Sequence, residues 1–149
     1  MLSLILAAAA ASRIATIHLG VGLPDLMGGG VSVTAFRPFE LELGAANGII
    51  HTTIFARAGL GLPLYDRRQD GRGLLIEGLA LGGWRWLRNV YWSGGDSKNG
   101  AELDLAAELS YWFAPHFALD VQVLGGGGLW FEQPAGPFMD GRLTVGVGF

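Results

Sequence analysis

The sequence predicts an all-β protein, an eight-stranded antiparallel up-and-down barrel, from its length, its composition and its hydrophobic pattern. Its 149 residues suffice for one domain with a core and are too few for two. Half of the residues are hydrophobic, and only 15% are charged, against an ordinary share of about 25%. Hydrophobicity repeats with a period of two, which places successive side chains on opposite faces of a strand.

Eight segments show this alternation and are predicted as the strands. They span residues 15–23, 31–36, 40–45, 54–64, 74–86, 102–113, 117–124 and 140–149. The first four each oppose an aliphatic face to a face composed mostly of polar residues and glycine, which also holds Phe36, Phe55 and Pro63. The fifth alternates least clearly, because Glu77 and Arg85 share a face with leucines, and a buried helix is an alternative there. In the sixth, a helical period would scatter the acids among the leucines, so a strand is favoured. The seventh and eighth alternate regularly, and the last ends on an aromatic residue.

The direction of the two faces follows from the size of such a barrel. A soluble barrel needs polar residues on every outward face, whereas here one face of each segment is apolar and the other carries the charges. Eight strands enclose a lumen just wide enough for side chains to fill, too narrow for all of the apolar residues. We therefore expect the apolar faces to point outward toward lipid, which makes the fold a transmembrane β-barrel.

Composition excludes several other classes of protein. No apolar run reaches the roughly 18 residues that a membrane helix needs. A net charge of −3 disfavours nucleic-acid binding, which requires a basic face. The sequence contains no cysteine, which excludes disulfide bonds and thiolate metal sites.

The two ends of the chain and the connectors predict its orientation. Residues 1–12 are expected to be a signal peptide without the usual basic start, and residues 13–149 the barrel domain. Short turns are predicted at 37–39, 114–116 and, longer and more polar, 66–73; longer loops are predicted at 24–30, 46–53, 87–100 and 125–139. An even number of strands puts both termini on the side of the short turns, which we expect to be the periplasmic side.

This pattern resembles the small bacterial outer-membrane β-barrels of the OmpA/OmpX type. The resemblance covers residues 14–149, and its sharpest motif is the terminal segment 144–149, which is similar to the C-terminal aromatic signal read by the barrel-assembly machinery. It implies location in the bacterial outer membrane, insertion by that machinery with Phe149 as the assembly signal, and contact with outer-membrane lipid and lipopolysaccharide. We expect a monomer without a cofactor.

The inward-facing charges predict a polar network that fills the lumen. Its members are Glu42, Arg57, Glu77, Arg85, Glu102, Asp104, Glu108, Asp120, Gln122 and Arg142. The pairs expected from hairpin register are Arg57 with Glu42, Arg85 with Glu102 or Asp104, and Arg142 with Asp120 or Gln122. Such pairs offset the cost of burying charge. With Glu40 and Asp140 the inward acids outnumber the inward arginines, so some carboxylates are expected to reach water, bind cations or stay protonated.

Aromatic residues at the ends of the apolar faces predict two girdles at the membrane boundaries. The predicted girdle residues are Tyr65, Tyr111, Phe113, Phe117 and Phe149 at the short turns and Trp84 and Trp86 at the loops. Inside, glycines on the lumen face are expected to leave space for Phe36, Phe55 and Trp112. These glycines are at positions 20, 22, 44, 59, 61, 83, 146 and 148.

No catalytic or metal site is predicted. His18, His51 and His116 are placed in the lumen, at a loop and in a turn, and their positions do not suggest a shared metal. A lipid A-modifying enzyme, using histidine with a hydroxyl and an acid, is one alternative function, and a narrow cation-favouring or small-solute pore is another. Trp92, Trp130 and Phe131 are expected at the membrane interface. The favoured prediction is a non-enzymatic protein with a structural or surface-interaction role.

Overall fold

The computed structural model describes residues 15–23, 27–36, 38–48, 51–89, 97–132 and 136–149, which form a closed barrel of eight antiparallel strands. The strands are β1 (Ala15–Leu23), β2 (Met27–Phe36), β3 (Phe39–Asn47), β4 (His51–Asp66), β5 (Gly73–Asn89), β6 (Ser97–Ala114), β7 (Phe117–Trp130) and β8 (Gly136–Gly148). Each strand pairs with its neighbours in sequence, so the predicted up-and-down barrel is confirmed. The expected signal peptide lies outside the described residues. No helix in the described ranges has the length and apolarity to cross a membrane.

Closure joins the first strand to the last. The β1–β8 ladder runs from Thr16 opposite Gly148 to Leu23 opposite Gly141. Ala15 and Phe149 extend it by exchanging two backbone hydrogen bonds, in which each N–H donates to the other residue's carbonyl oxygen at 3.0 and 2.9 Å. The sheet therefore has no free edge along this seam.

The two faces of the wall have opposite character. Aliphatic side chains such as Leu19, 68% exposed, and Leu105, 66% exposed, point outward, while Phe55, Trp112 and most of the charged residues of the strands are buried inside. The predicted direction of the faces is confirmed. Because the outward residues are exposed along every strand, the wall presents a continuous apolar surface.

Seven of the eight strands are longer than predicted, whereas β1 has the predicted bounds, and the connectors are correspondingly shorter. The fifth segment is a 17-residue strand, so the alternative of a buried helix was wrong. The glycine run 125–128 was assigned to a loop but lies within β7, because glycine carries no side chain to display the period of two. Connector lengths do not alternate strictly, since the β4–β5 turn is longer than the β1–β2 connector.

The barrel has two ends, which we name by their connectors. The turn end carries the β2–β3, β4–β5 and β6–β7 connectors together with Ala15 and Phe149. The loop end carries the other four connectors, of which β5–β6 spans residues 90–96 and is the longest. The inward side chains described below lie in the middle of the lumen, at one of its two ends, or between the middle and an end.

Candidate functional site

The middle of the lumen holds three arginines and four carboxylates, which we call the central charge cluster. Its members are Glu42 on β3, Arg57 on β4, Arg85 on β5, Glu102 and Asp104 on β6, and Asp140 and Arg142 on β8. All seven side chains are buried. They meet because inward positions of strands on opposite sides of a narrow barrel face one another across its axis.

Arg57 is bonded to a carboxylate at each of its three nitrogen atoms. Nε donates to Glu102 Oε1 at 2.6 Å, Nη1 donates to Glu42 Oε2 at 3.2 Å and Nη2 donates to Asp140 Oδ2 at 2.8 Å. The Asp104 carboxylate lies 2.9 Å from Nε as a further ionic contact. A guanidinium carries its donors in a fixed planar fork, so these bonds set the positions of three strands relative to β4.

Two carboxylates bridge the arginines. Glu102 accepts from the Nε of Arg57 and, through its other oxygen, from the Nε of Arg85, both at 2.6 Å. Asp140 Oδ2 accepts from all three arginines, at 3.2 Å from the Nη2 of Arg142 and also from Arg85 and Arg57. Such charge-assisted bonds supply the compensation that buried ions require.

Phe55 packs between two of the cationic groups. The guanidinium carbons of Arg57 and Arg142 lie 4.4 and 4.1 Å from the centroid of its ring. Gly44, directly opposite on β3, leaves the space that this ring occupies, as the pattern of lumen glycines predicts. The arginines are therefore held by aromatic packing as well as by charge.

The cluster includes three carboxylates close enough to hold a metal ion, but its arginines already neutralise them. Oxygen atoms of Glu102, Asp104 and Asp140 all lie within 4.8 Å of one another. Each of these residues contacts at least one guanidinium group, and the positive charges would repel a divalent cation. We therefore interpret the cluster as an internal ion-pair network.

A second acidic group lies between the cluster and the turn end. Glu77 and Glu108 are directly opposite in the β5–β6 ladder, and both are buried. Glu108 accepts a hydrogen bond from Ser110 Oγ at 3.0 Å and a longer one from Gln122 Nε2 at 3.5 Å. Asp120 lies opposite Ser110 in the next ladder. This part of the lumen is more acidic than the central charge cluster.

Aromatic side chains occupy both ends of the lumen. At the loop end, the rings of Trp130 and Phe138 stack with centroids 4.4 Å apart, and Phe138 lies 5.3 Å from the guanidinium carbon of Arg85. At the turn end, Trp112 is fully buried beside Leu75, with Arg68 stacked over its ring at 5.0 Å. The lumen is thus filled at three successive levels.

Several predicted positions need correction. Arg142 was expected to pair with Asp120 or Gln122, but its cross-strand neighbour is Leu124, and its hydrogen bond goes to Asp140 on its own strand. The register is offset because β7 and β8 extend much further toward the loop end than predicted. Trp130 was expected at the membrane interface but faces the lumen.

Of the other expected pairs, Arg57 bonds to Glu42 and Arg85 bonds to Glu102. Sequence reasoning missed Phe138, which it assigned to a loop, and the position of Asp140 at the centre of the cluster. The alternation of Phe138, Asp140 and Arg142 along one face was the available signal.

The residues predicted to form girdles lie on the outward face near the two ends. At the turn end, Tyr111 and Phe113 make an edge contact with centroids 4.9 Å apart, and Phe113 lies 5.9 Å from Phe117. Tyr65 and Phe149 are exposed at the same end, Trp84 is exposed toward the loop end, and Trp86 is half-buried there. The side chain of Phe36 lies outside what the structure describes.

The three histidines stand at separate levels. His18 is buried in the lumen, with its ring over Gly146, His51 begins β4 at the loop end, and His116 is exposed in the β6–β7 turn. Their separation gives no common site for acid–base chemistry.

Comparison with known proteins shows the fold. No protein-family model and no curated protein sequence matches the chain. Among solved structures, the chain is similar to the N-terminal β-barrel domain of Pseudomonas aeruginosa OprF, with a TM-score of 0.55 and 19% sequence identity. The match covers 92% of this chain and 98% of that domain. The fold is therefore that of the OmpA-like eight-stranded barrels.

Proposed function

We propose that this protein is a non-enzymatic barrel of the bacterial outer membrane, with a structural or surface-interaction role and a lumen filled by its own side chains. One observation carries the proposal: the wall is apolar and exposed on the outside, whereas the charges are paired within. A bilayer offers no hydrogen-bond partners to the backbone, so a closed sheet with this polarity suits it. The likeness to the OprF domain supports the barrel fold on which this proposal depends.

The loop end is the surface proposed to face outward. It carries the longest connector, and outer-membrane barrels place their longer loops outside and their short turns in the periplasm. Lipopolysaccharide and outer-membrane lipid are the proposed partners of the wall. The assembly machinery acts during insertion and reads the end of β8.

A depth-dependent substitution tests membrane insertion. Leu105 points outward near the middle of β6, and Ser97 is exposed at its loop end. Leu105→Arg should lower the free energy of unfolding from vesicles by about 2–4 kcal/mol, and Ser97→Arg by less than about 1 kcal/mol. Equal effects, or a wild-type protein that fractionates away from membranes and migrates identically in boiled and unboiled gel samples, would contradict the proposal.

A narrow cation-favouring pore is the second candidate. It is favoured by the juxtaposition of Glu77 and Glu108, two buried carboxylates on adjacent strands of the lumen wall. Recording across planar bilayers separates the two candidates. The filled lumen predicts no discrete conductance, whereas reproducible cation-selective steps would replace the structural role with a pore.

A further inference from the structure

The β4–β5 turn at the turn end carries five charged residues in seven positions. They are Asp66, Arg67, Arg68, Asp70 and Arg72. Arg68 Nε and Nη2 donate to the two carboxylate oxygens of Asp66 at 2.9 and 2.6 Å, and the guanidinium stacks over Trp112. This pair is neutral as a unit. The charge that the turn presents therefore comes from Arg67, Asp70 and Arg72.

Arg67 lies on the outward face, at the edge of the apolar wall. The backbone N–H of Arg67 donates to the carbonyl oxygen of Leu74 at 2.9 Å. Leu74 is opposite Tyr111 in the β5–β6 ladder. The Arg67 guanidinium carbon lies 5.6 Å from the centroid of the Tyr65 ring. Tyr65 and Tyr111 are both exposed, so this cation lies beside one amphipathic ring, and a second is exposed on β6.

Arg72 is held in a hydrogen-bonded turn beside Tyr111. Gln69 and Arg72 exchange two backbone hydrogen bonds of 2.8 and 2.9 Å, and Asp70 and Gly71 adopt φ of 51° and 72°. The turn packs against Pro115, because a Cβ on Gly71 would lie 2.9 Å from the Pro115 Cα. An open surface pocket lies between the turn and the Tyr111 ring, with Arg72 in its lining.

We propose that Arg67 and Arg72 bind the phosphate of an anionic phospholipid whose acyl chains lie along the apolar wall below Tyr65 and Tyr111. Guanidinium groups suit phosphate oxygens, and tyrosine rings occupy the headgroup level of a bilayer. The turn presents a net positive charge despite Asp70, so an anionic headgroup is favoured over a neutral one. This inference rests on the membrane insertion proposed above.

Native mass spectrometry of the full chain, refolded in neutral detergent, tests the inference by lipid retention. The probes are phosphatidylglycerol and phosphatidylcholine with the same acyl chains. The wild type should retain phosphatidylglycerol preferentially, and Arg67→Gln and Arg72→Gln should each reduce that preference about fivefold. Arg88→Gln is the matched control, because Arg88 is exposed on the outward face of β5 near the loop end.

Two further measurements test the inference. One tests the effect of a negative charge beside the site, and the other tests whether the bound phosphate belongs to a lipid or to a free anion. Asp70→Asn should increase phosphatidylglycerol retention, since it removes an acid that lines the surface pocket together with Arg72. Inorganic phosphate should not displace the lipid; displacement by phosphate alone would indicate a free-anion site and overturn the lipid assignment. Unchanged retention in the double variant Arg67→Gln/Arg72→Gln, or an equal loss in Arg88→Gln, would also overturn it.

The same samples separate this inference from the proposed function. Heat-modifiable gel migration and insertion into vesicles report the barrel in the membrane, independently of headgroup selectivity. Insertion with equal retention of both lipids contradicts the phosphate site alone. Failure to insert into vesicles of any composition contradicts the proposed function and the phosphate site together.

Discussion

Asp140 joins the three lumen arginines through a single carboxylate oxygen. Its Oδ2 accepts from Arg57 at 2.8 Å, from Arg142 at 3.2 Å and from Arg85. Removing one partner from a buried ion-pair network leaves uncompensated charge, which costs more than the net value of the interaction. The contribution of Asp140 therefore exceeds that of one ordinary ion pair.

Asp140→Asn should lower the free energy of unfolding by about 3 kcal/mol, because three guanidinium groups lose a shared negative charge in a buried site. Urea unfolding in vesicles, followed by tryptophan fluorescence, measures the change. Asp70→Asn makes the same change in net charge on an exposed turn and should alter stability by less than about 0.5 kcal/mol. Similar midpoints for the two variants would show that the cluster contributes little.

Glycine residues of the lumen wall act by leaving space. A methyl group on Gly44 would overlap the Phe55 ring, whereas a methyl group on the outward-facing Gly125 meets no atom within 4 Å. Gly44→Ala should destabilise by about 1–3 kcal/mol through overpacking, and Gly125→Ala should be nearly neutral. Thermal unfolding of both variants checks this, and Gly44→Ala/Phe55→Leu should recover part of the loss. A Gly44→Ala variant as stable as wild type would refute the packing argument.

At the scale of elements, Glu132 holds the loop end of the β6–β7 pair. Its carboxylate accepts from the side-chain amide of Asn99 at 2.6 Å and from the Asn99 backbone N–H. Phe131 N–H donates to the Asn99 carbonyl at 2.8 Å, so the contacts continue the ladder beyond Trp130. These hydrogen bonds to the charged form lower the pKa of Glu132 below its ordinary value.

Because the pKa of Glu132 is lowered in the folded protein, the direction in which its contribution to stability changes with pH is known. The stabilisation from ionised Glu132 is present above the ordinary glutamate pKa and is lost as pH falls through the lowered folded value. The Asn99 amide resonance should therefore titrate with a midpoint below the ordinary glutamate value, and Glu132→Gln should abolish that titration. NMR in detergent micelles makes the measurement. A midpoint at or above the ordinary value would contradict the contact.

Sequence could predict the strands and two of the central ion pairs, Arg57 with Glu42 and Arg85 with Glu102, for identifiable reasons. Alternation predicts strands wherever side chains differ between faces, so β6 was clear and the glycine run of β7 was not. Hairpin register predicts Arg57 with Glu42 because β3 and β4 are adjacent. The bonds from Arg57 to Glu102 and Asp140 cross the lumen between strands that are not adjacent. Barrel diameter and stagger decide such contacts, and no local pattern reports them.

At the scale of the whole molecule, closure and assembly depend on different parts of the same residue. Phe149 closes the barrel through its backbone, which exchanges two hydrogen bonds with Ala15. Its side chain is 52% exposed on the outside of the wall, where it adds little to the packed lumen. The proposed assembly signal resides in that side chain, so a substitution can separate the two roles.

Phe149→Ala keeps the backbone hydrogen bonds to Ala15 and removes only the exposed ring. Spontaneous folding of the purified chain into vesicles should therefore proceed with nearly wild-type yield, while the amount assembled in cells should fall severalfold. Phe117→Ala is the matched control, because it removes an exposed aromatic ring at the same end without touching the terminus, and it should leave cellular assembly unchanged. Gel migration of unboiled samples quantifies folded protein in both settings. Equal loss in vesicles and in cells would mean that the ring acts through stability, because recognition by the assembly machinery contributes only in the cell.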